Sequence, residues 1–233
     1  MLRKILGAAA LLSLGACASP YVAKPYDRGT AAVEQIAMID DSAPPEPIAY
    51  EVASTGANFG LIGALVDAGI QESRQNAVNN AMKGAGFDAE ATFEARMAAA
   101  LDTHGYQVAV LPGSDRAKRV FLETYAGAPD GTDAYLDIVL LHYGYLSAGA
   151  GQPFRPTAEA TVRLVSVADG RTLMENRIAY NVMYAQEGVI TLSPNPEYAF
   201  RNRDEMLADP RRLAAGVEDA LNQVAETAAK LLR

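Results

Sequence analysis

Ala134-Tyr-Leu-Asp-Ile-Val-Leu-Leu-His-Tyr-Gly-Tyr145 decides the fold. Its apolar residues fall on both parities, as in a central strand covered on both faces. Downstream, residues 157–167 alternate more cleanly and Asp169-Gly170 is a hairpin turn signal, so residues 171–184 read as the return strand. Upstream, Tyr-Gln-Val-Ala-Val-Leu at 106–111 and Val-Glu-Gln-Ile-Ala-Met-Ile at 33–39 read as strands. Pro44, Pro45 and Pro47 end the latter, and residues 48–52 form a short strand or an extended edge.

Helical spacing marks three longer segments. Residues 58–82 read as a helix stopped by Lys83-Gly84-Ala85-Gly86. Asp88 is placed to cap a second helix, whose buried stripe is Phe93, Met97, Ala100, Leu101 and His104. Asp209-Pro210 opens the last, with a stripe through Leu213, Val217, Leu221, Val224, Ala228 and Leu231. A shorter amphipathic helix is expected over 114–125. The fold class expected is α/β (α+β): a mixed, mostly antiparallel sheet packed by helices in a single domain, residues 33–233.

The N-terminus carries an address. Arg3 and Lys4 precede an apolar run from Ile5 to Leu14, too short to span a bilayer, which needs about twenty residues. Leu14-Gly15-Ala16-Cys17 follows, and it resembles the lipobox of bacterial lipoproteins. That resemblance implies a signal peptide over residues 1–16, lipidation of Cys17 as the first mature residue, and a membrane anchor. Ala18, rather than Asp, after the cysteine implies the outer membrane, with the domain facing the periplasm. Residues 17–32, polar and small with Pro20, Pro25 and Gly29, read as a tether spanning on the order of 20 Å. A helix ending in Gly-Tyr before a Val-rich strand, then the hairpin Arg-Leu-Val-Ser-Val-Ala-Asp-Gly-Arg-Thr-Leu, resembles the α/β domain of curli-secretion and penicillin-binding-protein-activator lipoproteins.

Composition narrows the chemistry. Cys17 is the only cysteine, so no disulfide forms within the chain and no cysteine zinc site exists. Net charge is −8, and about −10 without the signal, which argues against nucleic-acid binding. No cofactor motif and no metal-ligand pattern stands out. Asp130, Asp133 and Asp137 miss the EF-hand spacing, and Asp137 falls inside the expected strand, so a solvated turn around Pro129-Asp130-Gly131 is the reading instead of a calcium site. His142 shares a parity with Leu136, Ile138 and Leu140 and reads as a core histidine. A positive His104 complements a helix C-terminus. Ser114 and Lys118 are four apart and read as surface neighbours. Gly56 and Gly60 form one Gly-x-x-x-Gly, read as close packing on the sheet.

Two loops draw attention. Residues 146–156 are Gly/Ala/Ser-rich, flanked by Tyr143, Tyr145 and Phe154 and containing Arg155. Residues 185–209 hold Tyr198, Phe200, Arg201 and Arg203. Loops of this length are often functional, and these residue types concentrate at contact hot spots. The expectation is therefore a non-enzymatic accessory lipoprotein whose partner-binding residues are Tyr198, Phe200, Arg201, Arg203, Tyr145, Phe154 and Arg155. Its partner is an envelope protein or a second copy. An alternative is that these aromatics cap the sheet of their own domain. Two other functions stay open: an envelope hydrolase with an unrecognised site, and a homo-oligomeric secretion or scaffold component using Gly60 and Gly63.

Overall fold

The computed structural model describes residues 21–40, 42–53, 60–113, 118–184 and 186–233, with side chains from residue 69 onward in the first helix. Cys17, Ser114, Gly56, and the side chains of Gly60 and Gly63 therefore lie outside what is described. Strands β1 (Gln35–Ile39), β2 (Ile48–Ala53), β3 (Gln107–Leu111), β4 (Ala134–Gly149), β5 (Arg155–Ser166), β6 (Thr172–Tyr180) and β7 (Val189–Leu192) form one sheet. Its order is β3-β1-β4-β5-β6-β7, with β2 also on β4. The sheet is mixed, as expected. The long β4–β5 and β5–β6 ladders are antiparallel, and the shorter pairings of β1 with β3, β1 and β2 with β4, and β6 with β7 are parallel. Helices α1 (Gly60–Gly84), α2 (Ala89–Thr103), α3 (Arg203–Ala208) and α4 (Pro210–Lys230) pack against it.

β4 is the axis. Leu136, Ile138 and Leu140 face the helices and are fully buried with Phe93, Met97, Val162, Leu164, Leu213, Val217 and Leu221. Tyr135 lies on the opposite face with Ala37, Ile39, Leu111 and Val165, covered by Leu122 and Tyr125. That cover is pinned by Asp137, a buried carboxylate accepting from the Leu122 amide (2.8 Å) and the Tyr125 hydroxyl (2.9 Å). Hydrogen bonding of this kind is what lets a polar side chain sit inside a sheet. Both faces of this part of β4 are thus covered, as its sequence demanded.

One edge of β4 is shared. β1 pairs with its start and β2 with its end, both parallel. Met38 stands opposite Leu136 and Ile48 opposite Gly144, ten residues against eight. The surplus is pushed outward as a proline excursion over residues 42–47, tied back by the Leu140 amide to the Ser42 carbonyl (2.8 Å). β4 has its own irregularity at this level. Leu140 pairs with Ala160 but His142 with Glu159, so Leu141 is a bulge. Bulges re-aim the residues beyond them.

Several expectations are corrected. The bulge moves His142 to the face opposite Leu136, Ile138 and Leu140, while Tyr143 and Tyr145 take the core side. Strand parity read through residue 141 could not anticipate this. The 146–156 loop is mostly strand: β4 runs to Gly149 and β5 starts at Arg155. The 185–209 loop contains β7, a 3-10 turn over Pro196–Tyr198 capped by Asn195, and α3 capped by Asn202. Residues 118–125 are not helical, because Asp137 takes the Leu122 amide. The return strand stops at Tyr180, where Asn181 has φ 64°.

The stretch expected as a tether also differs. From Tyr21 it lies along the domain. Lys24 exchanges two backbone hydrogen bonds with Glu175 on β6 (2.7 and 2.9 Å). The Tyr26 hydroxyl accepts from the Val33 amide (3.2 Å). An edge strand left open by the shortness of β7 takes up this segment in its place.

Candidate functional site

The seven residues expected at a partner surface divide. Tyr145 and Phe200 are fully buried and Phe154 nearly so. The Tyr145 hydroxyl donates to the Leu213 carbonyl (3.1 Å), and its ring meets Phe200 edge-on at 5.5 Å. Phe154 and Phe200 exchange backbone hydrogen bonds (2.7 and 2.9 Å), closing the β4–β5 hairpin onto residues 196–200. These three aromatics form a joint inside the domain, the alternative the sequence left open. Arg212, which the sequence reading passed over, completes it. Its guanidinium lies 4.4 Å over the Phe200 ring and donates to the Glu197 and Ala199 carbonyls. Gly216 makes room, since a Cβ there would stand 2.2 Å from the Tyr145 hydroxyl and 2.8 Å from Tyr198 Cβ. Tyr198 and Arg203 are half-buried, while Arg155 and Arg201 are exposed. The Arg201 guanidinium holds Glu205 one turn on, at 3.2 Å.

His142 sits in a polar group. Its Nε2 is 3.2 Å from the Thr157 hydroxyl and its Nδ1 is 3.7 Å from Glu159, which also pairs with Arg177. Hydroxyl, imidazole and carboxylate in a row suggest a nucleophile relay. The proton placement opposes it. Thr157 Oγ donates to the Tyr180 carbonyl at 3.0 Å, so it accepts from His142 and has no proton to give it. Burial lowers the His142 pKa, ahead of Glu159, which raises it. The ring is a neutral donor that braces two strands. His104 is likewise corrected: it caps α2, but burial first, then Arg233 and Lys230, lower its pKa, so it adds no positive charge.

A cavity lies beside the proline excursion. It is a cleft of about 640 Å³ lined by Pro44, Pro45, Pro47, Met82, Phe87 and Tyr143, with Lys83, Asp88, Glu90 and Arg119 among its polar residues. The surplus residues between β1 and β2 make one wall, and the turn from α1 to α2 makes the other. Asn79, at the end of α1, donates to Glu46 (3.0 Å) and ties the walls together. Tyr143, turned to this side by the bulge, is the floor. Its pKa is pushed up to about 12, first by burial and then by Asp88, Glu46 and Glu90. The sequence signal for the cleft was the proline cluster, read only as the end of a strand.

Behind the cleft, Asp40, Glu90 and Glu94 bring carboxylate oxygens within 4.8 Å of one another. Glu90 accepts from the Ser42 and Ala43 amides (2.7 and 2.5 Å) and so fixes the excursion. The pKa of Glu94 is pushed up to about 9 by burial, then by Asp40 and Glu90. It is therefore protonated at neutral pH, which relieves the repulsion. The unfolded chain releases this proton near 4.5 while the folded chain keeps it to about 9, so the group destabilises the fold increasingly as pH rises through that window. Glu94→Gln keeps the donor and removes the titration. Thermal unfolding at pH 8 should show it more stable by about 1 kcal/mol, or roughly 2–4 °C, with the gain gone at pH 4. An equal gain at both pH values would contradict this account of Glu94.

Comparison with protein-family models, with curated proteins and with solved structures finds no match to this chain.

Proposed function

We propose that the chain is a membrane-anchored accessory lipoprotein of the bacterial cell envelope, lipidated at Cys17, facing the periplasm from the outer membrane and binding a protein partner. The observation that carries this reading is the run from Cys17 into the domain. The lipobox Leu14-Gly15-Ala16-Cys17 is followed within seven residues by Lys24, which is paired with Glu175. Three residues, 18–20, lie between Cys17 and Tyr21, and the four steps reach about 14 Å at full extension. The domain is then held close to the bilayer, with β6 and β7 toward it, instead of swinging on a long tether.

Arg155 and Arg201 are the exposed members of the expected contact set and belong to the joint at the far end of the β4–β5 hairpin. In-cell photo-crosslinking from positions 155 and 201 in the full-length protein tests their role. One envelope protein should be captured from both positions, and charge reversal of the other arginine should reduce capture about tenfold. Capture that is unchanged by charge reversal, or absent from both positions, would overturn the assignment. Self-adducts alone would replace the partner with a second copy of the chain.

A further inference from the structure

We infer that residues 21–24 are a releasable clip: seated on the edge of β6 they hold the domain close to its anchor, and released they let it reach about twice as far. The change in reach rests on the anchoring at Cys17 proposed above. The clip itself does not.

The domain is shaped to seat the segment. β7 pairs only with Arg177–Tyr180, the second half of the β6 edge. The first half takes Lys24, whose amide donates to the Glu175 carbonyl (2.7 Å) and whose carbonyl accepts from the Glu175 amide (2.9 Å). The Lys24 ammonium reaches the Thr172 carbonyl, and the Asn176 side-chain amide donates to the Lys24 carbonyl (3.4 Å). Gly188, before β7, leaves room, since a Cβ there would stand 2.8 Å from the Tyr21 carbonyl oxygen.

The hold is nevertheless weak, and the sequence keeps it so. Pro20 and Pro25 have no amide hydrogen, so the segment that could pair is four residues long. Of these four, Lys24 alone makes backbone hydrogen bonds to the sheet among the described residues. Val22 turns its side chain to solvent, 79 % exposed. The Tyr21 hydroxyl is buried and has no hydrogen-bond partner among the described residues. Burial first, then Glu175, pushes its pKa up to about 12, so it keeps a proton that no acceptor shares. An unpaired buried hydroxyl disfavours the seated state, and release returns it to water.

The release has a defined end. Tyr26, just past Pro25, packs against the core, and its hydroxyl donates to the Ala31 carbonyl and accepts from the Val33 amide (3.2 Å). Opening therefore moves the point of attachment from Tyr21 to Tyr26. Counted from Cys17, that lengthens the reach from about 14 Å to about 31 Å.

Amide exchange of the full-length chain in mild detergent tests the clip, because the Glu175 amide bonds to Lys24. It should exchange at least about a hundredfold faster than the slowest amides of the β4–β5 ladder. Tyr21→Phe, which removes the unpaired hydroxyl, should slow it about tenfold. Lys24→Pro should speed it about tenfold, yet lower the unfolding midpoint by less than about 4 °C. A Glu175 amide as slow as the ladder, no slowing in Tyr21→Phe, or a midpoint loss on the order of 10 °C in Lys24→Pro would overturn the clip. Energy transfer from a fluorophore at Tyr184→Cys to dye in phosphatidylethanolamine–phosphatidylglycerol vesicles tests the reach. It should fall in Lys24→Pro and rise in Tyr21→Phe, and unchanged transfer in both would overturn the change in reach. A chain that carries no lipid and leaves the vesicles refutes the anchoring reading instead, and amide exchange still decides the clip.

Discussion

Gly144→Ala should be the most damaging single substitution in the sheet, costing about 4 kcal/mol and lowering the unfolding midpoint on the order of 10 °C. Gly144 has φ 133°, outside the range that side chains accept. A Cβ there would lie 2.1 Å from the Ile48 carbonyl oxygen and 2.7 Å from the Ile48 nitrogen. Both are backbone atoms of β2 at its first pairing with β4, so no side-chain rotation relieves the clash. Relief requires β2 to leave the sheet, and the excursion over residues 42–47 and the cleft would go with it. Gly151 is the control. It also has a positive φ, 74°, but open space around it, so alanine there should cost only about 1–2 kcal/mol. Urea titrations of both variants check this, and a Gly144→Ala loss no larger than that of Gly151→Ala would contradict the geometry.

The same glycine shows where the sequence was legible. A strand from 134 to 145, covered on both sides, was readable because alternation fails there in the direction of apolarity. The hairpin at Asp169-Gly170, the caps at Asp88 and Asp209, and the stripe of α4 are local signals, and all three stand where expected. What could not be read is non-local. The bulge at Leu141 has no residue signature, and it alone decides which face His142 and Tyr143 occupy. Strand order depends on β1 and β2 sharing one edge of β4, a matter of register between distant segments. The aromatics at 145, 154 and 200 have the composition of a contact surface and of a core joint alike. Only the Phe154–Phe200 pairing and the guanidinium of Arg212 separate the two. The tether failed for a related reason: its polar composition hid backbone groups that an open strand edge could use.

Cys17→Ser should release the protein from the membrane fraction almost completely. Each buried acyl CH₂ contributes about 0.8 kcal/mol, so a cysteine carrying several chains binds stably where a single chain is marginal. Among the described residues, no helix is long and apolar enough to cross a membrane. The chain's net charge of −8 is repelled by anionic headgroups. The variant should lose at least about a hundredfold of its membrane-bound fraction, since several acyl chains contribute more than 3 kcal/mol. Its fold should be intact, because the contacts described for the domain, from Tyr21 and Lys24 onward, do not involve Cys17. A variant that stays membrane-bound through high-salt washing would place the anchor elsewhere.

The intact mass of the mature chain, taken from membranes in detergent, tests the anchoring claim most directly. The account predicts a chain that begins at Cys17 and is heavier than its amino acids by the mass of several acyl chains. A chain that keeps residues 1–16, or one with a free Cys17 thiol and no added lipid, would contradict it.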